Sequence, residues 1–400
     1  MRILYTAIDQ QVPAAHGGAV HVTAVADGLA ALGHDVHVLA SPGDTPFPSG
    51  PVRWWPMRPP LGTRQLRVLR AGHVLRLARE LRPDVIMERY YNFGGEGILA
   101  AHRLGTVAVL EVNAPVIDHH GSLKRRVDAA LLVRPMERWR NWQCRHSDLI
   151  VTPTARILPP GIPPDRVLEA EWGADVVRFR PDASGPVPFR RSPGEVVVVF
   201  VGAFRAWHGA VQLVDAMRQL RARGRTDIKA VLVGDGPELA RVRAASAALD
   251  NVIVTGALPH EAIPACLAAA DAGIAPFDVS GHPALAIDFY WSPLKIFEYM
   301  ASGLPVVLPR IPRLSEVVRD GREGVLYDAT EPDGLAAAIA RAVDSGQLDQ
   351  MGAAARDRVV ARFSWQQHCA LLDVAIRATL DRAPRGSMRG RASAAPTSAQ

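Results

Sequence analysis

Residues 196–209 read VVVVFVGAFRAWHG, and this stretch decides the fold of the second half of the chain. Its first six residues are all apolar, which is typical of a strand buried on both faces of a parallel sheet. Gly202 ends the apolar run, and residues 210–223 then carry apolar side chains at helical spacing. A buried strand, a glycine turn and a helix form the start of a βαβ unit, so the stretch predicts a doubly wound α/β domain.

The same alternation of strand and helix also occupies the first half of the chain. Arg2–Ala7 and Val36–Ala40 are predicted strands, and Val20–Leu32 between them is a predicted helix that ends at Gly33. Between the two halves, residues 180–195 contain four prolines and two glycines without any period, which indicates a linker. We therefore expect two Rossmann-like parallel-sheet domains that face a central cleft, where ligands bind beyond the carboxyl ends of the strands.

Composition excludes several classes of protein. The chain has 400 residues, of which 48% are apolar and 22% charged, as in ordinary globular proteins. No apolar run approaches the ~18–20 residues of a membrane span, and the amino terminus reads as a strand and not as a secretory signal. The net charge of +6 includes three arginines of the segment 384–400, and no dense basic and aromatic alternation indicates nucleic-acid binding.

The cysteines and the acidic residues indicate the cellular compartment and whether the protein binds a metal ion. Cys144, Cys266 and Cys369 lie far apart in the sequence, so we expect neither a disulfide framework nor a zinc knuckle. We expect a cytoplasmic location for the same reason. The sequence contains no D-x-D, the arrangement with which many sugar-nucleotide enzymes hold a divalent metal against a diphosphate. We predict no metal site and no cofactor.

Glycines and cations at strand ends are candidate anion ligands. Gly17 and Gly18 precede the first helix, where they form either a tight turn or a place for a ligand phosphate against helix N–H groups. Arg205 and His208 follow Gly202 and precede a helix, an arrangement that suits a diphosphate unless both side chains are merely solvated. The turn from Gly234 and Asp235 to Pro237 either lines the same cleft or has a purely structural role.

The segment 292–301, SPLKIFEYMA, is the most informative candidate site. It runs from a loop into a helix, and Lys295 and Glu298 lie three residues apart on one helical face. One interpretation is a surface salt bridge worth at most ~0.5 kcal/mol. The other places Lys295 or neighbouring N–H groups near phosphate and lets Glu298 accept hydrogen bonds from a ribose diol.

Several motifs in a fixed order resemble one family over roughly residues 1–382. They include Gly17-Gly18, Glu111–Pro115, Trp172–Asp175, Phe200–Gly209, Gly234–Pro237, Ser292–Ala301, Gly303–Val307 and Asp320-Gly321 with Gly324. Together these motifs resemble glycosyltransferase family 4, whose members have the GT-B architecture of two Rossmann-like domains.

The resemblance implies retaining transfer of a hexose-type sugar from a nucleotide diphosphate sugar to a glycan, lipid-linked or small-molecule acceptor, without a metal. The donor would bind mainly the second domain and the acceptor mainly the first. Donor-binding residues would be Gly17, Gly18, Gly202, Arg205, His208, Gly234, Asp235, Ser292, Pro293, Leu294, Lys295 and Glu298, with Glu298 holding the ribose. The implied domains are 1–181, a linker 182–195, 196–363, a helix 364–383 that returns to the first domain, and a disordered tail 384–400.

The sequence departs from the family pattern at several positions. Tyr290 stands where the first glutamate of the E-x7-E pair would fall, Ala203 stands in place of an arginine, and His208 in place of a lysine. The histidine that the family commonly carries after the fourth strand of the first domain corresponds to Asn113, with His119 and His120 a few residues on. Asn113 and His119 are therefore the acceptor-side candidates, and the departures bear on the donor sugar more than on the reaction.

The expected chemistry is charge stabilisation at the leaving diphosphate by Arg205, Lys295, a protonated His208 and helix amino termini, with Asn113 at the acceptor side. No protein nucleophile is evident, so same-face attack assisted by the leaving phosphate is the preferred mechanism. Two alternatives stay open. One is a non-catalytic sugar-nucleotide-binding partner subunit, and the other is an epimerase or hydrolase of the same fold.

Two further segments are candidate acceptor or membrane contacts. Residues 123–145 read as one long basic helix with interleaved Leu and Trp, which indicates either a helix resting on an anionic membrane at the inner face of the cell or an ordinary helix with Trp and Leu packed inward. Trp54-Trp55-Pro56 is predicted to lie in a loop, either exposed to an acceptor or packed beneath it.

Overall fold

The computed structural model of the protein describes residues 1–14, 16–117, 123–131, 133–282 and 289–382. His119, His120 and the predicted tail 384–400 therefore lie outside the described residues. Among the described helices, none is long and apolar enough to span a membrane.

The chain divides into two compact units, one formed by residues 1–171 with the chain from residue 368, the other by residues 172–367. The crossings at 171/172 and 367/368 differ from the predicted boundaries after residues 181 and 363. Packing explains the earlier crossing, because the guanidinium group of Arg356 donates hydrogen bonds to the carbonyls of Val176 and Phe179, each at 2.7 Å. Ala174 also forms a parallel bridge with Ser364. Residues 172–179 are thus part of the second unit.

The first unit is a seven-stranded parallel sheet with the order β3-β2-β1-β4-β5-β6-β7. Its strands are β1 (Arg2–Val12), β2 (Asp35–Pro42), β3 (Arg53–Pro56), β4 (Val85–Arg89), β5 (Val107–Glu111), β6 (Leu149–Thr152) and β7 (Val167–Glu169). Its helices before the crossing are α1 (Gly17–Ala31), α2 (Ala71–Leu81), α3 (Glu96–Leu104), α4 (Leu123–Ala130) and α5 (Pro135–Arg145).

The second unit is a six-stranded parallel sheet with the order β10-β9-β8-β11-β12-β13. Its strands are β8 (Val196–Val201), β9 (Ile228–Val233), β10 (Val252–Gly256), β11 (Ala272–Ile274), β12 (Val306–Pro309) and β13 (Gly324–Tyr327). Its helices are α6 (Ala210–Ala222), α7 (Leu239–Ser246), α8 (Ile263–Ala268), α9 (Leu294–Ala301), α10 (Pro312–Val317), α11 (Gly334–Asp344) and α12 (Leu348–Arg362).

A last helix, α13 (Trp365–Arg382), runs from the second unit into the chain that belongs to the first. The Ser364 hydroxyl accepts a hydrogen bond from the Gln367 N–H at 3.2 Å, which is the geometry of a helix N-cap.

Both sheets confirm the predicted fold class of two doubly wound Rossmann-like domains. In each sheet the strand order reverses next to the first strand, between β1 and β4 and between β8 and β11. Such switch points are where ligands of doubly wound sheets bind, beyond the carboxyl ends of the strands. In the second unit Val198, Phe200 and Leu232 of the sheet are buried in one core with Leu213 of α6 and Ile339 of α11. This packing holds the amino end of α6 at the switch point.

Two local predictions were wrong. Residues 123–145 form two helices, because Arg134 adopts a left-handed φ of 45° and Pro135 starts α5. Asp128 caps that new start by accepting the N–H groups of Met136 and Glu137 at 2.9 and 2.7 Å. The Trp54-Trp55-Pro56 segment is not a loop but part of edge strand β3, where the Trp55 indole donates to His37 at 3.1 Å.

The tryptophans of α5 pack against the protein. The Trp139 indole donates to the Gly94 carbonyl at 2.9 Å, and its ring stacks on Trp142 with centroids 5.0 Å apart. Of the two interpretations of this region, inward packing is the one that holds for these two side chains.

Candidate functional site

The carboxyl ends of β8 and β9 are brought together by two glycines. Gly202 and Gly234 both have φ of 145°, which disfavours any residue with a Cβ. A Cβ on Gly234 would lie 1.9 Å from the Gly202 carbonyl oxygen, and one on Gly202 would lie 3.0 Å from the Lys295 Nζ. The glycines therefore let the two strand ends approach each other and leave room for the Lys295 ammonium group.

Lys295 holds its charged end in a buried position without a hydrogen-bond partner among the described residues. Its Nζ lies 4.2 Å from the ring centroid of Phe200 and 5.1 Å from that of Phe277. Burial lowers the pKa of the amine to about 7, although the charge of Glu298 acts in the opposite direction. A buried cation over two aromatic rings at a strand end is suited to receive an anion.

Glu298 lies one turn further along α9 and forms no salt bridge with Lys295, so the interpretation as a surface ion pair is not supported. Burial raises the pKa of its carboxyl to about 8, while the charges of Arg178 and Lys295 oppose that rise. Its carboxylate accepts no hydrogen bond from the described part of the chain. Two carboxylate oxygens that accept no other hydrogen bond from the described residues match the two hydroxyl donors of a vicinal diol.

His208 is neutral in this structure. Burial lowers the pKa of its ring to about 3, and the charges of Lys295 and Arg205 contribute. Its Nδ1 hydrogen-bonds to the Ala203 carbonyl at 2.5 Å, so Nδ1 is the donor and Nε2 is the ring nitrogen that can accept. The lowered pKa disfavours, in the free protein, the protonated His208 that the sequence analysis expected. Nε2 is suited to accept a hydrogen bond from a hydroxyl group.

Arg205 and Asp235 flank this group of residues. The exposed Arg205 lines a cavity of about 270 Å³ with Glu238, Arg241 and Asp278. Asp235 closes its own turn, since its carboxylate accepts the Gly236 N–H at 2.6 Å. Asp235 therefore has a structural role here, the alternative that the sequence left open.

Ser292, Pro293 and Leu294 form the start of α9. The Ser292 hydroxyl accepts the N–H of Trp172 at 3.0 Å, and the Leu294 N–H bonds to the Ser292 carbonyl at 2.9 Å. Pro293 is the residue before the first helical turn. These contacts join the Trp172-Gly173 motif to the segment that carries Lys295 and Glu298.

The predicted residues of the first unit lie at the ends of β1 and β5. Helix α1 starts at Gly17, and the preceding His16 accepts the Ala19 N–H at 3.2 Å through Nδ1. A Cβ on Gly18 would lie 2.1 Å from the Gln10 side-chain oxygen. Asn113 follows β5 and hydrogen-bonds with the buried Glu111 carboxylate. These residues and the group around Lys295 belong to different units.

Sequence reasoning missed an aromatic wall and one cation. The rings of Trp207 and Trp291 stack with centroids 4.2 Å apart, and Phe277 stacks on Trp207 at 6.0 Å. The neighbouring His208 and Ser292 motifs offered a signal for both tryptophans. The charge of Arg178 lowers the pKa of Glu298, although Arg178 lies 120 residues earlier in the sequence. No local sequence pattern predicts such an interaction.

No group of three or more His, Cys, Asp and Glu side chains within the described ranges is placed to hold a metal ion.

Two family models match the chain. The model described as Glycosyl transferases group 1 matches residues 195–345, and the model described as Glycosyltransferase Family 4 matches residues 15–158.

Curated relatives carry related names. A GDP-mannose-dependent alpha-mannosyltransferase of Mycobacterium tuberculosis is 30% identical over 320 residues, which cover 78% of this chain and 75% of that protein. A GDP-mannose-dependent alpha-(1-6)-phosphatidylinositol monomannoside mannosyltransferase of Mycolicibacterium smegmatis is 29% identical over 50% of this chain. That second match spans about half of the relative's own length, at 53%.

Solved structures show the same fold at lower identity. Sucrose-phosphate synthase from Thermosynechococcus elongatus superposes with a TM-score of 0.70 at 19% identity, over 95% of this chain and 99% of that one. The Anabaena protein HepE in complex with UDP-glucose gives 0.65 at 18% identity, over 94% of this chain and 100% of that one. The two parallel sheets and these likenesses establish the GT-B fold.

Proposed function

Because the chain belongs to glycosyltransferase family 4, we propose that it transfers a hexose from a nucleotide diphosphate sugar to a sugar, lipid-linked or small-molecule acceptor. The observation that supports this most strongly is the buried Nζ of Lys295 at the carboxyl end of β8, which has no hydrogen-bond partner within the described part of the chain. A buried cation without a counter-charge is costly to a protein unless a ligand supplies the anion. The donor diphosphate is an anion of the required kind.

Each residue at this strand end is assigned to a different part of the donor. Lys295 contacts the diphosphate, with Arg205 as a second cation at its exposed side. Glu298 accepts the two ribose hydroxyls, and His208 accepts a hydroxyl of the sugar through Nε2. Negative charge grows on the diphosphate as the anomeric bond lengthens, so the cations bind the transition state more tightly than the ground state.

The names of the relatives indicate which donors to test first. Two relatives are named as GDP-mannose-dependent mannosyltransferases, and one structure of the same fold holds UDP-glucose. We take GDP-mannose and UDP-glucose as the first candidate donors for this chain.

The stereochemical course that we propose is retention, by attack of the acceptor on the face from which the diphosphate leaves. In this mechanism the leaving phosphate takes the acceptor proton. We assign no protein nucleophile, because Glu298, whose charge acts on Lys295, is assigned to the ribose. Lys295 and Arg205 supply the positive charge at the diphosphate, so we propose that no metal is required. Anomeric analysis of the product and turnover in EDTA check these two points, and an inverted product or loss of activity in EDTA would contradict them.

The test is release of nucleotide from GDP-mannose and UDP-glucose in the presence of an acceptor extract. We expect Glu298→Ala to raise the donor KM roughly 10- to 100-fold, because it leaves the ribose hydroxyls in a buried position without an acceptor, which costs about 1–3 kcal/mol. The exposed Glu316 on α10 provides the matched control, and Glu316→Ala should behave as the wild type. Equal donor KM values for Glu298→Ala and the wild type would remove Glu298 from the ribose.

The same assay separates the alternatives. Donor binding without turnover in any extract would favour a non-catalytic partner subunit. Product formed without an acceptor would favour an epimerase or hydrolase.

We also propose that the turn between α4 and α5 contacts an anionic membrane surface at the inner face of the cell. Val127, Leu131 and Val133 are exposed there, and Arg126 and Arg134 are exposed beside them. Apolar side chains flanked by arginines suit the boundary between lipid headgroups and acyl chains.

Sedimentation with phosphatidylglycerol vesicles tests this contact. We expect binding at low salt that is weakened by high salt and by Leu131→Asp with Arg134→Glu. Equal sedimentation of the wild type with anionic and with neutral vesicles would contradict it.

A further inference from the structure

A second, larger cavity lies in the same unit, on the side of the sheet away from β9 and β10. Its volume is about 1030 Å³, at the upper end of the ~300–1,000 Å³ that small-molecule sites occupy. One face of α6 lines it, together with the segments that follow β11, β12 and β13. No residue assigned to the donor above belongs to its lining.

The floor of the cavity is aromatic and rich in proline. Phe277, Phe289 and Tyr327 line it, with four prolines around them. Flat apolar groups of this kind pack against the C–H faces of a sugar ring and offer little to a fully hydrated ion.

Its charged groups disfavour an anion. The described lining contains four carboxylates but only two arginines, and both arginines are already paired. Arg218 pairs with Asp215, and Arg310 donates to Asp320 at 2.7 Å. Asp215 is therefore neutralised, whereas Asp278, Asp328 and Glu331 form no salt bridge among the described residues. Carboxylates of the second kind repel phosphate but accept hydrogen bonds from hydroxyl groups.

Two polar groups of the lining have no partner among the described residues. The side-chain oxygen of Gln219 is buried without a hydrogen bond, although its nitrogen donates to the Pro332 carbonyl at 3.3 Å. The Tyr327 hydroxyl makes no hydrogen bond to another described residue. Buried polar atoms are ordinarily satisfied, so the Gln219 oxygen points to a ligand that donates a hydrogen bond. The Tyr327 hydroxyl can donate a hydrogen bond to the same ligand or accept one from it.

We propose that this cavity binds a neutral oligosaccharide. Aromatic rings, unpaired carboxylates, an amide oxygen and a phenol together match a ligand with apolar ring faces and many hydroxyls. The cavity adjoins the donor site, because Phe277 lines it and also lies 5.1 Å from the Lys295 Nζ. Resting on the proposed function, the inference assigns the acceptor to the class of neutral glycans and places part of its chain here.

Calorimetric titration with two neutral probes, maltotriose and α-1,6-mannotriose, tests the inference. We expect at least one to bind the wild type, and Ala329→Trp to weaken that binding at least tenfold, because the indole would occupy the rim of the cavity. Ala329 is exposed, and Ala337→Trp on the exposed side of α11 is the matched control. Tyr327→Phe removes only the free hydroxyl and should weaken binding roughly 3- to 10-fold.

Donor binding is measured separately by the thermal shift that GDP-mannose and UDP-glucose produce. We expect Ala329→Trp to leave that shift unchanged, so failure of the inference is distinguishable from failure of the proposed function. Absence of binding by both trisaccharides at millimolar concentration would overturn the inference. So would trisaccharide binding that Ala329→Trp leaves intact, loss of the donor shift in Ala329→Trp, or tighter binding of spermine than of either sugar.

Discussion

Each of the two units buries a cluster of ionisable side chains near its switch point, but the clusters differ in how they are paired. In the first unit the fully buried Arg67 contacts Asp9, donates to Glu96 at 2.7 Å and approaches Glu88 at 3.3 Å. Glu88 also accepts the N–H groups of Gly97 and Ile98, at 2.8 and 2.9 Å, at the start of α3. In the second unit the Lys295 Nζ is buried with no hydrogen-bond partner among the described residues.

The Arg67 network has charges that stabilise the fold, whereas the charge of Lys295 is placed to bind a ligand. A buried ion network with every member hydrogen-bonded rigidifies its surroundings, and removing one member leaves the others uncompensated. An unpaired buried cation contributes nothing to the fold and costs desolvation energy. The two clusters should therefore respond oppositely to loss of their cation.

We expect the largest effect on stability from the substitution Arg67→Met. It leaves Asp9, Glu88 and Glu96 buried without a positive charge, so we expect the free energy of unfolding to fall by about 3–5 kcal/mol. Chemical denaturation measures this, and Arg64→Met, at an exposed position of the same turn, is the matched control. A loss no larger than that of the control would show that the network does not support the fold. If Arg67→Met does not fold at all, Arg67→Lys, which keeps the charge, should retain the fold with a smaller loss.

We expect Lys295→Met to lower activity without lowering stability. We expect kcat to fall about 10²–10³-fold, since a charge that stabilises a developing anion is worth about 2.7–4 kcal/mol, while stability is kept or increased. Single-turnover kinetics and thermal unfolding measure the two effects. Lys229, which pairs with Glu195 at 2.7 Å, provides the control Lys229→Met. A Lys295→Met protein that is destabilised but fully active would contradict the assignment.

The pH dependence of donor affinity gives the smallest and most specific effect. Burial lowers the pKa of Lys295 to about 7, and only the protonated amine attracts the diphosphate. Affinity should therefore be full well below pH 7 and fall by up to about tenfold for each further unit above it.

Lys295→Arg isolates this effect, because guanidinium stays charged throughout the range. We expect the ratio of its donor affinity to that of the wild type to rise from pH 6 to pH 9, as measured by calorimetry. Any change that persists in Lys295→Arg belongs to other groups, among them Glu298, whose pKa is raised to about 8 by burial. A ratio that stays constant with pH would show that Lys295 does not titrate against the donor.

Much of the candidate site was visible before the structure. The spacing of Lys295 and Glu298 predicted one helical face, and the glycine after the valine run predicted a strand end. The state of His208 was not predictable, because it depends on burial and on Lys295, which only folding brings near it. Asp235 instead accepts the N–H of the next residue, Gly236, a local turn that was one of the two roles the sequence allowed.

What the sequence by itself determined was the alternation of strands and helices, the two α/β halves and the positions of the strand-end glycines. These follow from side-chain periodicity and backbone sterics, which act within a few residues. Only the tertiary structure decided that the Lys295 Nζ lies over Phe200 and Phe277 with no hydrogen-bond partner among the described residues, that the charge of Arg178 acts on Glu298, and that a second cavity adjoins them. The burial of a side chain and its partners are fixed when segments distant in the sequence pack together, and no local pattern carries that information.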